Sequence, residues 1–178
     1  VFKRQADKFP GLTAIACANL PYNITTPVLT ALIQAGCFAS ITVMIQREVA
    51  LRICAAPGTA DYGAFSVFCQ YHTAPELLFE VPPECFLPAP KVTSAVIKLV
   101  PRQEPPQELV EEGLFFQVVK ASFAQRRKTL LNGLTSAFGR RVPKDALRAV
   151  LAEAGRPDIV RGAPRGLPPF AALAAALA

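Results

Sequence analysis

Two short apolar runs, residues 12–18 and 40–46, constrain this chain more than anything else in it. The first, Leu12-Thr13-Ala14-Ile15-Ala16-Cys17-Ala18, is entered through Pro10-Gly11, and the second, Ser40-Ile41-Thr42-Val43-Met44-Ile45-Gln46, is rich in β-branched residues. Both have the length of strands, and their nearly unbroken apolar character predicts strands that are buried, the second covered on both faces. Between them lies one helical pattern over residues 24–35. Thr26-Pro27 signals its start, Val28, Leu29, Leu32, Ile33 and Ala35 recur at helical spacing, and Gly36 is placed to end it. Strand, helix and strand of this size make a βαβ unit with a right-handed crossover and a parallel sheet. The segments after the two strands then leave from the same edge, which is where ligands collect in α/β sheets.

The first strand runs directly into Asn19-Leu20-Pro21-Tyr22, continued by Asn23-Ile24-Thr25. The Asn19 side-chain oxygen and a backbone carbonyl of the Leu20-Pro21 segment offer two acceptors for the two hydrogens of a planar amine. The Tyr22 ring offers a face on which the amine's own ring can stack. A nucleobase is the natural guest. An exocyclic aromatic amine is a poor nucleophile because its lone pair is delocalised, and two acceptors push its nitrogen toward a lone-pair-exposed shape. Held this way it is aimed for in-line attack on an electrophilic methyl group, with no metal and no strong base required. The same residues would also serve as a plain Asn-Pro turn with a packed tyrosine. The second strand ends in Gln46-Arg47-Glu48, and Val49, Leu51, Ile53 and Ala55 continue as a helix that stops before Pro57-Gly58. Glu48 is read as a structural partner of Arg47 or Arg52.

From Tyr62-Gly63 to Val100 three further strands are expected. Phe65, Val67 and Cys69 alternate with Ser66, Phe68 and Gln70, and residues 77–81 and 95–100 supply the others. His72 then ends a strand as a packed or surface side chain. Residues 82–92 hold four prolines, which preclude regular pairing and stiffen the connection, with one aromatic, Phe86, and one cation, Lys91. Such a loop is suited to gripping a ligand; a turn whose Phe86 plugs the core is the alternative. Residues 101–107, with three prolines, read as a linker. Beyond it the pattern is helical, marked by Phe115, Val119 and Phe123, by Leu130, Leu134 and Phe138, and by Leu147, Val150, Leu151 and Ala154 with Pro143 before them and Gly155 after. Residues 170–178 form a last short helix.

Ser122 and Gln125 have the spacing of a capping box, which sets Arg126, Arg127 and Lys128 in the first turns of a helix. Cations there oppose the helix dipole, at about 0.3 to 1 kcal/mol each when exposed, so their presence suggests an anion such as phosphate. Arg140, Arg141 and Lys144 extend the basic surface. The net charge of +6 is uneven: residues 1–100 carry 7 Lys and Arg against 6 Asp and Glu, residues 101–178 carry 12 against 7. The C-terminal part therefore favours anionic partners, nucleic acid foremost, over a merely solvated basic face. No apolar run approaches the roughly 20 residues that span a bilayer. The five cysteines, 15 to 20 residues apart with no Cys-x-x-Cys pair, argue against zinc or a disulfide framework and for reduced thiols in a cytosolic protein. A start at Val1-Phe2-Lys3-Arg4, with Met44 the one methionine, reads as a fragment.

Taken together the motifs resemble the KsgA-type (RsmA) rRNA adenine dimethyltransferases. The resemblance rests on residues 18–24, on Gln46-Arg47-Glu48-Val49-Ala50 with Arg52, and on Pro57-Gly58 with Tyr62-Gly63 and Ser66-Val67. It continues through Phe86-Leu87-Pro88-Ala89-Pro90-Lys91-Val92 with Ser94-Ala95-Val96 and Gln125-Arg126-Arg127-Lys128-Thr129-Leu130. These appear in the family's order and spacing from about residue 13 to residue 138.

The resemblance implies an enzyme that transfers methyl groups from S-adenosylmethionine to the N6 amines of two adjacent adenines in small-subunit rRNA, extruding the base from its stack. Asn19, Leu20, Pro21 and Tyr22 would form the target-adenine loop, with Asn19 also beside the cofactor and Phe86 as a second stacking wall. Lys91, Arg126, Arg127, Lys128, Arg140, Arg141 and Lys144 would meet RNA, and no metal is implied. The expected architecture is α/β: the C-terminal half of a Rossmann-like methyltransferase sheet in residues 1–100, a linker at 101–107 and a helical RNA-binding domain at 108–178. The family's glycine-rich loop and acidic ribose-binding residue precede the point where this chain begins, so the fragment alone is expected to be inactive. Near the C-terminus the family's Arg-x-Glu-x-Leu pattern is replaced, Arg161 being followed by Ala163 and Arg165. The expected setting is a cytoplasmic monomer acting on the pre-30S particle. Two rivals are a resistance-type methyltransferase acting on large-subunit rRNA and a non-catalytic assembly factor that binds rRNA.

Overall fold

The computed structural model describes residues 11–124, 128–153 and 166–178. Its elements run β1 (Ile15–Asn19), a 3-10 turn (Tyr22–Ile24), α1 (Thr25–Ala35), β2 (Ser40–Gln46), α2 (Arg47–Cys54), α3 (Ala64–His72), β3 (Thr73–Val81), a 3-10 turn (Pro83–Cys85), β4 (Ser94–Pro101), α4 (Glu112–Phe123), α5 (Leu130–Phe138), α6 (Lys144–Glu153) and α7 (Leu167–Ala175). They form two compact units: residues 11–55 with 69–105, and residues 56–68 with the described residues after 105. Residues 56–68, assigned from the sequence to the first domain, thus group with the C-terminal helices. Arg102, inside the expected linker, is tied to the first unit, its Nε donating to the carbonyls of Gln70 (3.0 Å) and Thr73 (3.1 Å).

In the first unit the strands lie in the order β1-β2-β4-β3. β1 and β2 are parallel, as the βαβ pattern requires, with Asn19 opposite Met44. β4 is antiparallel to both β2 and β3, so the sheet is mixed where a parallel one was expected. The reason is the connection: β3 and β4 are joined without the crossover helix that parallel neighbours need. β1, β2 and β3 consequently run in one direction and β4 runs back. Asn19, Gln46, Val81 and the first residue of β4, Ser94, therefore sit at one edge of the sheet.

Burial follows from position. β2 and β4, the central pair, contribute the fully buried Ile41, Ile45, Ile97 and Leu99. β1 lies at the edge and is not buried throughout: Ile15, Cys17 and Asn19 are exposed, and only Ala16 and Ala18 on its other face are half-buried. α1 ends as expected at Gly36, whose φ of 61° is a left-handed cap. α2 packs against β3 and β4.

The segment read as the first of three further strands is instead the helix α3. Phe65, Val67 and Cys69 do alternate, yet the buried positions include Ser66, Cys69 and Thr73, and Val67 and Tyr71, which is helical spacing. His72 therefore ends a helix rather than a strand. Thr73, the residue after α3, closes it by donating from Oγ1 to the Cys69 carbonyl at 2.7 Å.

In the second unit α4 packs on α5 and α7, and α5 on α6. Phe115 and Phe170 form an edge-on pair in its core, and Phe123 meets both Phe170 and Tyr62. The capping box is not formed. Ser122 lies within α4, donating to the Val118 carbonyl at 2.8 Å, and the N-cap of α5 is Thr129, whose Oγ1 accepts from the Asn132 amide. An N-cap stands outside the helix it caps, in non-helical backbone, and Ser122 is a helical residue of α4.

Candidate active site

The shared sheet edge carries a cleft of about 300 Å³ lined by Asn19, Leu20, Pro21, Tyr22, Phe86, Pro88 and Pro90. Two segments distant in sequence thereby meet, the loop after β1 and the proline-rich loop before β4. Each is held by specific bonds. Leu20, buried, donates its amide to the Met44 carbonyl at 3.1 Å, so β2 fixes the start of the loop. The chain then turns. The Pro21 carbonyl accepts from the Ile24 amide (3.2 Å) and from Thr25 Oγ1 (3.3 Å), and Thr25 is itself buried. The Pro21 carbonyl being committed, the Leu20 carbonyl is the segment's other backbone acceptor. Asn19 is exposed at the end of β1.

The opposite wall is stiff for a chemical reason. Prolines fix φ, and residues 82–90 contain four of them, with a 3-10 turn at Pro83–Cys85 closed by the Phe86 amide donating to the Pro83 carbonyl at 3.1 Å. Phe86 is half-buried and lines the cleft. Leu87 is fully exposed, and Lys91 is exposed outside the lining.

Tyr22 is tied to the start of β4. Its phenol oxygen lies 2.6 Å from Ser94 Oγ, and Ser94 is wholly buried. The Ser94 backbone is paired on both sides, with Gln46 on β2 and Val81 on β3. In the sequence Ser94 stands out only as a member of the Ser94-Ala95-Val96 motif, and no local pattern announces a bond that spans 72 positions. Arg47, after β2, pairs with Glu80 on β3, and Glu48 with Arg52 at 2.8 Å, so of the two partners weighed for Glu48 the second is observed.

Of the basic residues expected to meet RNA, Arg126 and Arg127 lie outside the described residues, as do Arg161, Ala163 and Arg165. Lys128 is exposed just before the Thr129 cap, ahead of the helix rather than in its first turn. Arg140, Arg141 and Lys144 are exposed around the connection from α5 to α6. Among the described residues no cluster of His, Cys, Asp or Glu could hold a metal ion, and no helix is long and apolar enough to cross a membrane.

Comparison with known proteins decides the family. Residues 10–154 match the family model of ribosomal RNA adenine dimethylases. The chain belongs to this family. Among curated proteins it is 48% identical over 172 residues to the ribosomal RNA small subunit methyltransferase A of Streptococcus sanguinis SK36 and, equally, to that of Streptococcus pneumoniae D39. Those matches take in 96% of this chain and 59% of the relatives, so the chain spans less than two thirds of their length. Among solved structures, a dimethyladenosine transferase from Plasmodium falciparum is similar with a TM-score of 0.74 at 22% identity, over 93% of this chain and 66% of that one. The 23S rRNA methyltransferase ErmE is similar with a TM-score of 0.64 at 24% identity, over 95% and 67%. Both likenesses carry the fold, a Rossmann-like methyltransferase sheet with helices, as expected from the sequence.

Proposed function

We propose that these residues form the target-base half of an adenine N6,N6-dimethyltransferase acting on small-subunit rRNA. The observation that carries the proposal is the cleft itself, whose lining brings together the amide residue Asn19, the backbone of Leu20 and Pro21, and the aromatic residues Tyr22 and Phe86. Asn19 Oδ1 and the Leu20 carbonyl accept the two hydrogens of the adenine amine. Tyr22 and Phe86 stack the base and hold the amine's orientation. A methyl group taken from a sulfonium donor, whose S–C bond would break to leave a neutral thioether, would give a cationic amine that loses its proton to water, so no strong base would be needed at the site. After the first transfer one N–H remains, and a single acceptor holds the monomethylated amine for the second.

S-Adenosylmethionine is the donor this reading implies. It presents a sulfonium, a carboxylate and a ribose diol, whereas the cleft lining offers one side-chain amide and no charged group. The cleft lining thus fits the base and not the donor. The streptococcal relatives, named as small-subunit enzymes, favour small-subunit rRNA in the pre-30S particle as the substrate over large-subunit rRNA. The reading places the enzyme in the cytoplasm as a monomer, with Lys91, Lys128, Arg140, Arg141 and Lys144, and with them Arg126 and Arg127, meeting the RNA backbone.

The test is Asn19→Ala in a polypeptide that joins these residues to the part of the streptococcal relatives they do not span. Methyl transfer to isolated small subunits should be lost while RNA affinity stays within about twofold, since the phosphate contacts dominate affinity. Unchanged methyl transfer refutes the site. Incorporation into large rather than small subunits moves the substrate, and RNA binding with no transfer by the unmutated polypeptide favours a non-catalytic assembly role.

A further inference from the structure

We infer that Ser94 is a positioning residue for the base-stacking face of Tyr22. The inference rests on reading the cleft as a base site and goes beyond it by naming what fixes the site's geometry. Tyr22 sits in a three-residue 3-10 turn with no side-chain cap, on a loop whose other anchors, the Leu20 amide and the Thr25 hydroxyl, hold backbone and not the ring. A tyrosine ring on such a turn has two rotatable bonds and is free to tilt. The bond from its far end to Ser94, at 2.6 Å, fixes the swing of the ring about the first of these; the phenol oxygen lies on the axis of the second, where Ser94 acts only through the preference of a phenol's hydrogen bond for the ring plane.

Ser94 is the right place for such an anchor. It is wholly buried, it opens β4, and strands pair with it on either side. The same strand begins where the proline-rich loop ends, and that loop carries Phe86 on the facing wall. Ser94 therefore references both walls of the cleft to one fixed point of the sheet. Stacking needs a ring whose position is set before the base arrives, since ordering it on binding costs affinity.

The consequence is separable from stability. Tyr22 is half-exposed, so a phenol released from Ser94 finds water, and folding changes little. Base stacking changes more. The probe is a cytidine-flanked oligoribonucleotide carrying one 2-aminopurine, whose fluorescence is quenched on stacking, titrated against this chain. Ser94→Ala should weaken the quenching isotherm about three- to tenfold, the range of one net hydrogen bond. Tyr22→Phe, which removes the same bond from the half-exposed side and keeps the ring, should do the same. The double variant should be no worse than either single one, whereas Phe86→Ala, acting on the other wall, should add to Ser94→Ala. Wild-type quenching by either single variant, or effects of Ser94→Ala and Tyr22→Phe that add, overturns the inference. No quenching by the unmutated chain overturns the base-site reading, and this inference with it.

Discussion

The side-chain amide of Gln70 closes the C-terminal end of α2, donating from Nε2 to the Ile53 carbonyl at 2.9 Å and also to the Ala55 carbonyl at 2.8 Å. The last carbonyls of a helix have no partner within it, and here α3 supplies one from 15 or more residues away. Gln70→Ala leaves both acceptors unpaired and should lower stability by about 1–2 kcal/mol. Urea unfolding reads this as a reduced midpoint at unchanged slope. A midpoint within error of the parent would mean that water replaces the amide without loss.

The basic surface on the second unit gives a prediction about ions. Arg140, Arg141 and Lys144 are exposed. If they meet phosphates, the logarithm of RNA affinity should fall linearly with the logarithm of salt concentration. Replacing all three with glutamine should flatten that slope by about 0.7 for each phosphate of single-stranded RNA that is no longer neutralised. Filter binding across a salt series makes the comparison. A triple variant with the parental slope would leave these cations as a solvated face.

Burial of thiols predicts how stability responds to alkali. Burial, and secondarily the neighbouring Cys54, pushes the Cys69 thiol far above its ordinary range; burial also raises Cys54, and it raises the Tyr62 phenol. In each case the folded state holds a proton that the unfolded state releases first. For the thiols, stability is therefore fully present below the unfolded value of about 8.5 and is lost as pH rises above it, by up to about 1.4 kcal/mol per pH unit for Cys69, with the half-buried Cys54 adding less because solvent screens it. The urea midpoint should be level from pH 7 to about 8 and fall beyond about 9. Cys69→Ala, though less stable at neutral pH, should show a shallower fall. An equally steep fall would place the alkaline sensitivity elsewhere.

How much the sequence disclosed depended on how local each feature is. The βαβ unit, the loop from Asn19 to Tyr22 and the helices carrying Phe115, Leu134 and Leu147 were legible because periodicity, a Gly36 cap and a proline-bounded turn each act within a few residues. Residues 64–72 are ambiguous because their apolar positions, broken by Ser66, Gln70 and His72, satisfy a period of two over a short window as well as a period of 3.6, and only packing chooses. The antiparallel turn of the sheet depended on a connection without a helix. The capping error at Ser122 arose because a serine three residues before a glutamine fits a motif equally well when it lies inside the preceding helix. The bond from Tyr22 to Ser94 is invisible to any window, since only the folded sheet brings the two together.

A second long-range approach of that kind sets the sign of a glycine substitution. Gly133 lies within α5 and is buried, and a Cβ added there would stand 2.6 Å from the Ala121 carbonyl oxygen of α4. On propensity alone, Gly→Ala inside a helix stabilises by about 1 kcal/mol. Here the obstacle is backbone, held in its own helix, and cannot rotate away, so α4 and α5 must separate. Overpacking of this kind costs about 1–3 kcal/mol. Gly133→Ala should therefore destabilise the chain. Gly113→Ala, in the first turn of α4, meets only the Glu111 side chain at an ordinary 3.5 Å and should be neutral or stabilising. Thermal melts of the two variants should move in opposite directions relative to the parent. If Gly133→Ala raises the midpoint, the approach of the two helices is looser than the geometry requires, and helix propensity rather than packing governs that position.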